Sequence, residues 1–344
     1  MTPIAPHISA FLQQRLPMER GASENTCDSY SYAFQLLFIY ASGRFKIEPS
    51  ALLFEQMDAP LVVDFLNHLE TDRGNSPVSR NLRLAAVKSF MRYMQYRLPA
   101  ALEQIQRVLA IPPKRTDIRL VHHLTRDEMQ AILDAPDPAT RFGIRDRAML
   151  HLCFCAGLRV SELVTLCLAD LNVQPKATIL IHGKGRRERA LPLWRDTTRA
   201  VRAWLTLRRE SPFPQLFLNS QGEPMTRAGF EYILQKHAAT ASKQCPSLLQ
   251  KRVSPHVLRH TCAMTVLTAT KDIRKVSLWL GHATIQTTEM YLRADATEKC
   301  ETIELITPPR LRAGRFRATD KLLASLKVST LCGVQSRKSG HNQR

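Results

Sequence analysis

No stretch of this 344-residue chain is long and apolar enough to suggest a membrane span. The run from Leu150 to Leu158 is broken by His151 and Gly157 and falls short of the roughly 20 residues a span requires. The N-terminal MTPIAPHISAFLQQRL lacks a basic start followed by an apolar stretch and a small-residue cleavage site, so it does not read as a secretion signal. These two absences predict a cytoplasmic protein. The eight cysteines (Cys27, Cys153, Cys155, Cys167, Cys245, Cys262, Cys300 and Cys332) are scattered, and no pair has CxxC spacing. They read as thiols in a reducing compartment, with no disulfide, metal or other cofactor assigned. Acidic residues are scarce. Those present, such as Asp127, Asp146 and Asp170, lie far in sequence from the arginine and histidine motifs, which disfavours a metal-dependent nuclease unless folding gathers them.

Positive charge, by contrast, is abundant. Forty-nine Lys and Arg against thirty Asp and Glu give a net +19, spread from Arg15 to Arg344 and not confined to one tail. A polyanion is the natural partner, and the lack of a basic amphipathic helix or lipidation motif favours nucleic acid over a membrane surface. An apolar share of 44% with 23% charged residues is that of a globular protein long enough for two cores.

Apolar residues recur at helical spacing in SYSYAFQLLFIYA (29–41), APLVVDFLNHL (59–69) and VSRNLRLAAVKSFMRYMQY (78–96), with turn signals at Ser42-Gly43 and at Gly74-Asn75-Ser76-Pro77. Residues 1–110 therefore read as a helical module, and Arg80, Arg83, Lys88 and Arg92 on its last long helix are candidates to reach phosphates. IPPKRTDIRLVHHLT has no sustained period and gives a linker over 111–124. Thr125, followed three residues later by Glu128, is a capping box that opens a second domain over 125–307. Its periodicity predicts helices near 126–134, 141–156, 159–166, 195–209, 226–239, 256–269, 272–279 and 285–293. The β-prone ATILIHG (177–183) and the following GKGRRERALPL predict a two-stranded hairpin. The expected fold is mainly α with a small β-element (α+β). Residues 308–344 carry nine Lys or Arg against one Asp and read as a disordered basic tail. There is no internal repeat.

The segment PHVLRHTCAMTVL (255–267) places His256, Arg259 and His260 in the first turn of a helix whose later residues read as core. Residues three apart share a face, so His256 and Arg259 point the same way. In chain order the second domain also offers Arg159 in GLRVSEL, Lys184 in HGKGRRER, His282 in LGHATIQTT and Tyr291 in MYLR. This series resembles the tyrosine recombinases of the phage-integrase and Xer type. Their pattern is an Arg in GLRxSEL, a Lys in a GKGxxxR hairpin, an HxLRH box, an LGH box and a Tyr nine residues after that box's His. The helical module is similar to their core-binding domain, including an SxxNLRLxAxKSFxRYM-like last helix.

The resemblance implies a site-specific recombinase or integrase of a mobile element, phage or plasmid. Its catalytic residues would be Arg159, Lys184, His256, Arg259, His282 and Tyr291, and its product a 3′-phosphotyrosine with a free 5′ hydroxyl. It implies double-stranded DNA as partner and a homotetramer on paired sites, alone or with related recombinases. The terminal segment ATEKCETIEL (296–305) would dock on a neighbouring subunit.

Chemistry suits the roles. Tyr291 attacks and stores the phosphodiester bond energy, the planar forks of Arg159 and Arg259 grip non-bridging oxygens, His256 accepts the phenolic proton, His282 donates to a phosphoryl oxygen and Lys184 protonates the leaving 5′ oxygen. Arg186, Arg187 and Arg189 are candidate phosphate contacts. His260 either supports Arg259 or is solvated, Glu162 either orients Arg159 or forms an exposed i, i+3 pair, and Trp279 reads as core. A type IB topoisomerase uses the same chemistry on one strand. A DNA-binding regulator would have no need for the tyrosine.

Overall fold

The computed structural model describes residues 1–117, 121–173, 176–183, 187–282 and 284–294. Lys184, Arg186, the 296–305 segment and the basic tail from 308 lie outside the described residues. The chain divides into two compact units, Met1–Arg119 and Leu120–Arg344.

The first unit is helical. Helix α1 (Ile4–Ala10) runs into a wider turn of helix at Phe11–Glu19, followed by α2 (Glu24–Phe45), α3 (Ala59–Thr71), α4 (Pro77–Met94) and α5 (Leu102–Ala110). Ser76 and Pro77 start α4 as cap and first residue, the Ser76 hydroxyl accepting from the Ser79 amide. Phe11 meets Phe34 and Phe90 edge-on at centroid distances of 6.1 and 5.4 Å, and these rings anchor the core with Phe54 and Phe65. The turn read at Ser42-Gly43 is not a turn: α2 runs through it to Phe45 and stops at Lys46, which is left-handed at φ 56°. One glycine weakens a helix by about 1 kcal/mol, which the buried Phe34, Leu37 and Ala41 outweigh.

In the second unit come α6 (Arg126–Asp134), α7 (Arg141–Cys155), α8 (Val160–Thr165), α9 (Arg195–Leu207), α10 (Arg227–Ala241), α11 (Pro255–Thr270), α12 (Ile273–Leu280) and α13 (Glu289–Ala294). Between α8 and α9 lies an antiparallel sheet of β1 (Leu171–Asn172), β2 (Thr178–His182) and β3 (Glu188–Pro192), in that order. The hairpin is β2–β3, pairing His182 with Glu188. The two-residue β1 is an addition to the sequence reading, too short to leave a period of its own. Thr125 and Glu128 form the reciprocal capping box, at 3.2 Å from the Glu128 amide to Thr125 Oγ1 and 2.8 Å from the Thr125 amide to Glu128 Oε2.

The predicted helix at 285–293 is two pieces, a 3₁₀ turn at Ile285–Thr287 and then α13. Thr288 at the break is fully buried, its hydroxyl hydrogen-bonded to His282 Nδ1 at 2.8 Å. The larger core packs α7 against α9 and α10 with Trp204, Phe217 and Phe230 at its centre, and Trp279 packs against it while donating to the Cys155 carbonyl at 3.0 Å. A smaller cluster joins α11 to α12 and α13 through Cys262, Leu267, Val276, Leu280 and Tyr291. Among the described residues no helix is long and apolar enough to cross a membrane.

Candidate active site

Three local signals set up the site. Ser254 caps α11 at the Val257 amide and Pro255 opens it, which fixes where the first turn points. Arg159 stands at the start of α8, its amide donating to Glu162 Oε2 at 3.0 Å. Gly157 turns the chain between α7 and α8 at φ +56°, where a Cβ would lie 2.6 Å from Leu280 Cδ2, so only glycine fits both the backbone and the neighbour.

These elements gather three guanidiniums around one carboxylate. Glu162, 6% exposed, accepts from Arg159 Nη1 at 2.6 Å on Oε1 and from Arg189 at 3.2 and 2.8 Å on its two oxygens, with Arg259 Nη1 4.0 Å from Oε2. Burial alone pushes the Glu162 carboxyl up, but Arg189 and Arg159 outweigh it and hold it below the usual range. Glu162 is therefore ionised at neutral pH, and three cations against one anion leave two positive charges in excess. Arg259 donates to the Gly157 carbonyl and, at 2.7 Å, to the Leu280 carbonyl. Burial, and then the charge of Arg159, bring its pKa down to about 10, so it stays charged. Only Arg159 is open to solvent, at 33% of its side chain against 9% for Arg189 and 5% for Arg259.

Tyr291 on α13 is 1% exposed. Its hydroxyl is 2.9 Å from Nδ1 of His260, and its ring stacks on that of His282 at 6.4 Å and 8°. Burial pushes the phenol up to about 12, against the pull of Arg259 and Arg159. Burial also brings His260 and His282 down to about 4, helped by neighbouring positive groups, so both rings are neutral at pH 7.

The structure thus brings Arg159, Arg259, His282 and Tyr291 together. His256 is exposed, its ring 6.5 Å from that of His260. His256 is expected from the sequence to accept the phenolic proton, whereas the hydroxyl's hydrogen-bond partner in the structure is His260, one turn further along α11. Glu162 orients Arg159, and it is no exposed pair. Arg189 is likewise corrected from a surface phosphate contact to a buried partner of Glu162. Strand alternation carried that signal, since Arg189 shares its face of β3 with the buried Leu191. Arg187 is exposed, and its carbonyl accepts from the Gly183 amide at 2.7 Å to close the hairpin.

On α4, Arg80 is a correction of the same kind. It is 8% exposed, with Nε 3.6 Å from Glu70 and Nη1 donating to Asn81 at 3.2 Å. Arg83 donates to the Ser29 carbonyl at 3.2 Å and lies over the Tyr32 ring. Both hold α4 to the unit. Lys88 is half-buried, with burial and Arg92 lowering its pKa, and Arg92 is exposed one turn on.

At the turn end of the hairpin His182 bridges two carboxylates, Asp170 at 3.0 Å from Nε2 and Glu188 at 2.9 Å from Nδ1. Asp170 first, then Glu188, raise its pKa. A raised histidine stabilises the fold fully below its unfolded pKa of about 6.5 and loses that contribution as pH rises through the folded value. The His182 ring proton signal is expected to titrate above pH 6.5, and Asp170→Asn to bring the midpoint back toward it; a midpoint at or below 6.5 in the parent protein would rule out the clasp.

Comparison with known proteins places the chain in a family. Residues 122–298 match the phage integrase family and residues 8–97 match the family's N-terminal SAM-like domain. The candidate integrase/recombinase y4rC of Sinorhizobium fredii is 43% identical over 323 residues, 94% of this chain and 97% of its own. The tyrosine recombinase XerC of Pelotomaculum thermopropionicum is 33% identical, over 83% of this chain and 92% of its own. The chain belongs to the phage integrase family, and its relatives within it include tyrosine recombinases of the Xer type. Solved structures share the fold. The XerH site-specific recombinase in its post-cleavage complex matches with a TM-score of 0.65 at 21% identity, over 86% of this chain and 84% of its own. The Tn1549 transposon integrase with circular intermediate DNA matches with 0.66 at 17% identity, over 89% of this chain and 100% of its own.

Proposed function

We propose that this protein is a site-specific DNA recombinase that cuts and rejoins strands through a 3′-phosphotyrosyl intermediate. The observation that carries the reading is a pair of uncompensated guanidinium charges beside a tyrosine. A phosphodiester held by Arg159 and Arg259 supplies the missing anion, and their planar forks match its non-bridging oxygens. Fixed charge there favours the phosphorane-like transition state, which carries more negative charge than the ground state. The Tyr291 oxygen bonds to phosphorus, the bond to the 5′ oxygen breaks, and Lys184 supplies the proton for the leaving hydroxyl. His282 donates to a phosphoryl oxygen, His256 stands at the exposed edge of the site, and a histidine of the first turn of α11 takes the phenol's proton.

The partner is double-stranded DNA. Residues 1–110 clamp it from the first unit through Lys88 and Arg92, joined by Arg186 and Arg187 of the hairpin and, less specifically, by the basic tail. Cutting and exchanging four strands calls for a homotetramer on paired sites, or one completed by related recombinases. The transposon integrase among the matching structures favours a mobile element as the setting. Incubation with a nicked suicide duplex is expected to trap a covalent adduct at a 3′ end, and two sites together to yield exchanged strands. Relaxation of supercoils without exchange would point to a topoisomerase, and no adduct to a DNA-binding relative without activity.

A further inference from the structure

We infer that His260 is a catalytic residue: it takes the proton from Tyr291 as the phenol attacks phosphorus and returns it when the strand is rejoined. The inference rests on the recombinase reading above. It stands first on geometry, since His260 Nδ1 lies 2.9 Å from the reacting oxygen, and the rings meet edge-to-face at 5.7 Å. His282 stacks flat against the phenol and has its own Nδ1 on Thr288, and exposed His256 lies a ring away beyond His260. An N–H or lone pair directed at the phenol oxygen therefore comes from His260.

The protonation states suit the transfer. Tyr291 is a neutral phenol and His260 a neutral imidazole, so the O–H donates to the Nδ1 lone pair in the tautomer with its proton on Nε2. Burial keeps His260 neutral, together with the positive fields of His256, Arg259 and His123. A phosphodiester seated on Arg159 and Arg259 cancels part of that field. The proton affinity of His260 therefore rises when substrate is present and stays low otherwise. In cleavage the phenolic proton moves to Nδ1, the oxygen lone pair forms the P–O bond, and the 5′ oxygen leaves with a proton from Lys184. In rejoining the 5′ hydroxyl attacks phosphorus and returns its proton to Lys184, the bond from phosphorus to the Tyr291 oxygen breaks, and the imidazolium protonates the departing phenolate.

The test uses the full chain, a nicked duplex and the same duplex with sulfur in place of the bridging 5′ oxygen, because a thiolate leaves without an acid. His260→Ala is expected to slow adduct formation by about 100-fold or more on both substrates with DNA affinity unchanged. His260→Asn, whose amide can keep the hydrogen bond without a basic nitrogen, is expected to be as slow. His256→Ala is expected to lose less on the sulfur substrate. Recovery by Asn to within a few-fold of the parent would overturn the inference by showing that the residue only positions the phenol, as would a larger loss on the sulfur substrate in His256→Ala. Should His260→Ala lose DNA binding through misfolding, the Asn variant carries the measurement. No adduct from the parent protein would defeat the recombinase reading itself, whereas a full-rate adduct in both His260 variants would defeat this inference alone.

Discussion

Tyr291→Phe is expected to abolish covalent capture of DNA, a fall on the order of 10⁴-fold or more, while duplex affinity stays within about twofold. The substitution deletes one oxygen from a residue that is 1% exposed, so it removes nothing from the surface that a duplex meets on binding. The ring remains packed on His282 and among the α11 and α12 side chains. The folded protein loses one hydrogen bond, leaving Nδ1 of His260 without its partner at a cost of about 1–3 kcal/mol. Denaturing gels of protein incubated with a suicide duplex, alongside a filter-binding titration, separate the two effects. Loss of binding in step with loss of the adduct would contradict a purely chemical role for the hydroxyl.

Glu162→Ala is expected to be the most destabilising single change in the second unit, by about 3–5 kcal/mol, because it strands two buried guanidiniums opposite a third with no anion among them. For a unit of this size that corresponds to a fall in melting temperature of roughly 6–20 °C. The pH dependence has a definite sign. The carboxyl is held below its unfolded value, so its contribution is fully present above pH about 4.3 and is lost as pH falls through the lower folded value. The gap in melting temperature between parent and variant should be flat near neutrality and narrow in acid. Millimolar sulfate should raise the melting temperature of the variant more than that of the parent, by supplying an anion where the carboxylate stood. A variant within 1 kcal/mol of the parent, or indifferent to sulfate, would show that the three arginines are not held by this one group.

Much of this was legible in the chain itself, and what was not has identifiable causes. The cap at Thr125, Pro255 at the start of its helix and the β-prone run at 177–183 are local signals, and they place α6, α11 and the hairpin to within a residue or two. The hydroxyl partner of Tyr291 depends on how α13 returns across α11, a long-range matter, so the spacing within HVLRH cannot choose between His256 and His260. Charge is ambiguous in the same way: Arg80 and Arg92 look alike on a helical wheel, yet Glu70 from α3 draws Arg80 inward and nothing comparable meets Arg92 among the described residues. Ser42-Gly43 misleads because turn propensity is weighed against a buried face that only the packed module reveals.

Arg259 ties the turn at Gly157 to the end of α12 by donating to two backbone carbonyls, so it acts as a joint of the scaffold besides the phosphate-gripping role proposed for it. A descendant that had given up cutting DNA could discard its phenol freely, yet would keep this guanidinium to remain folded. In sorting working enzymes from retired copies, the arginine is therefore a poor witness and the tyrosine a good one.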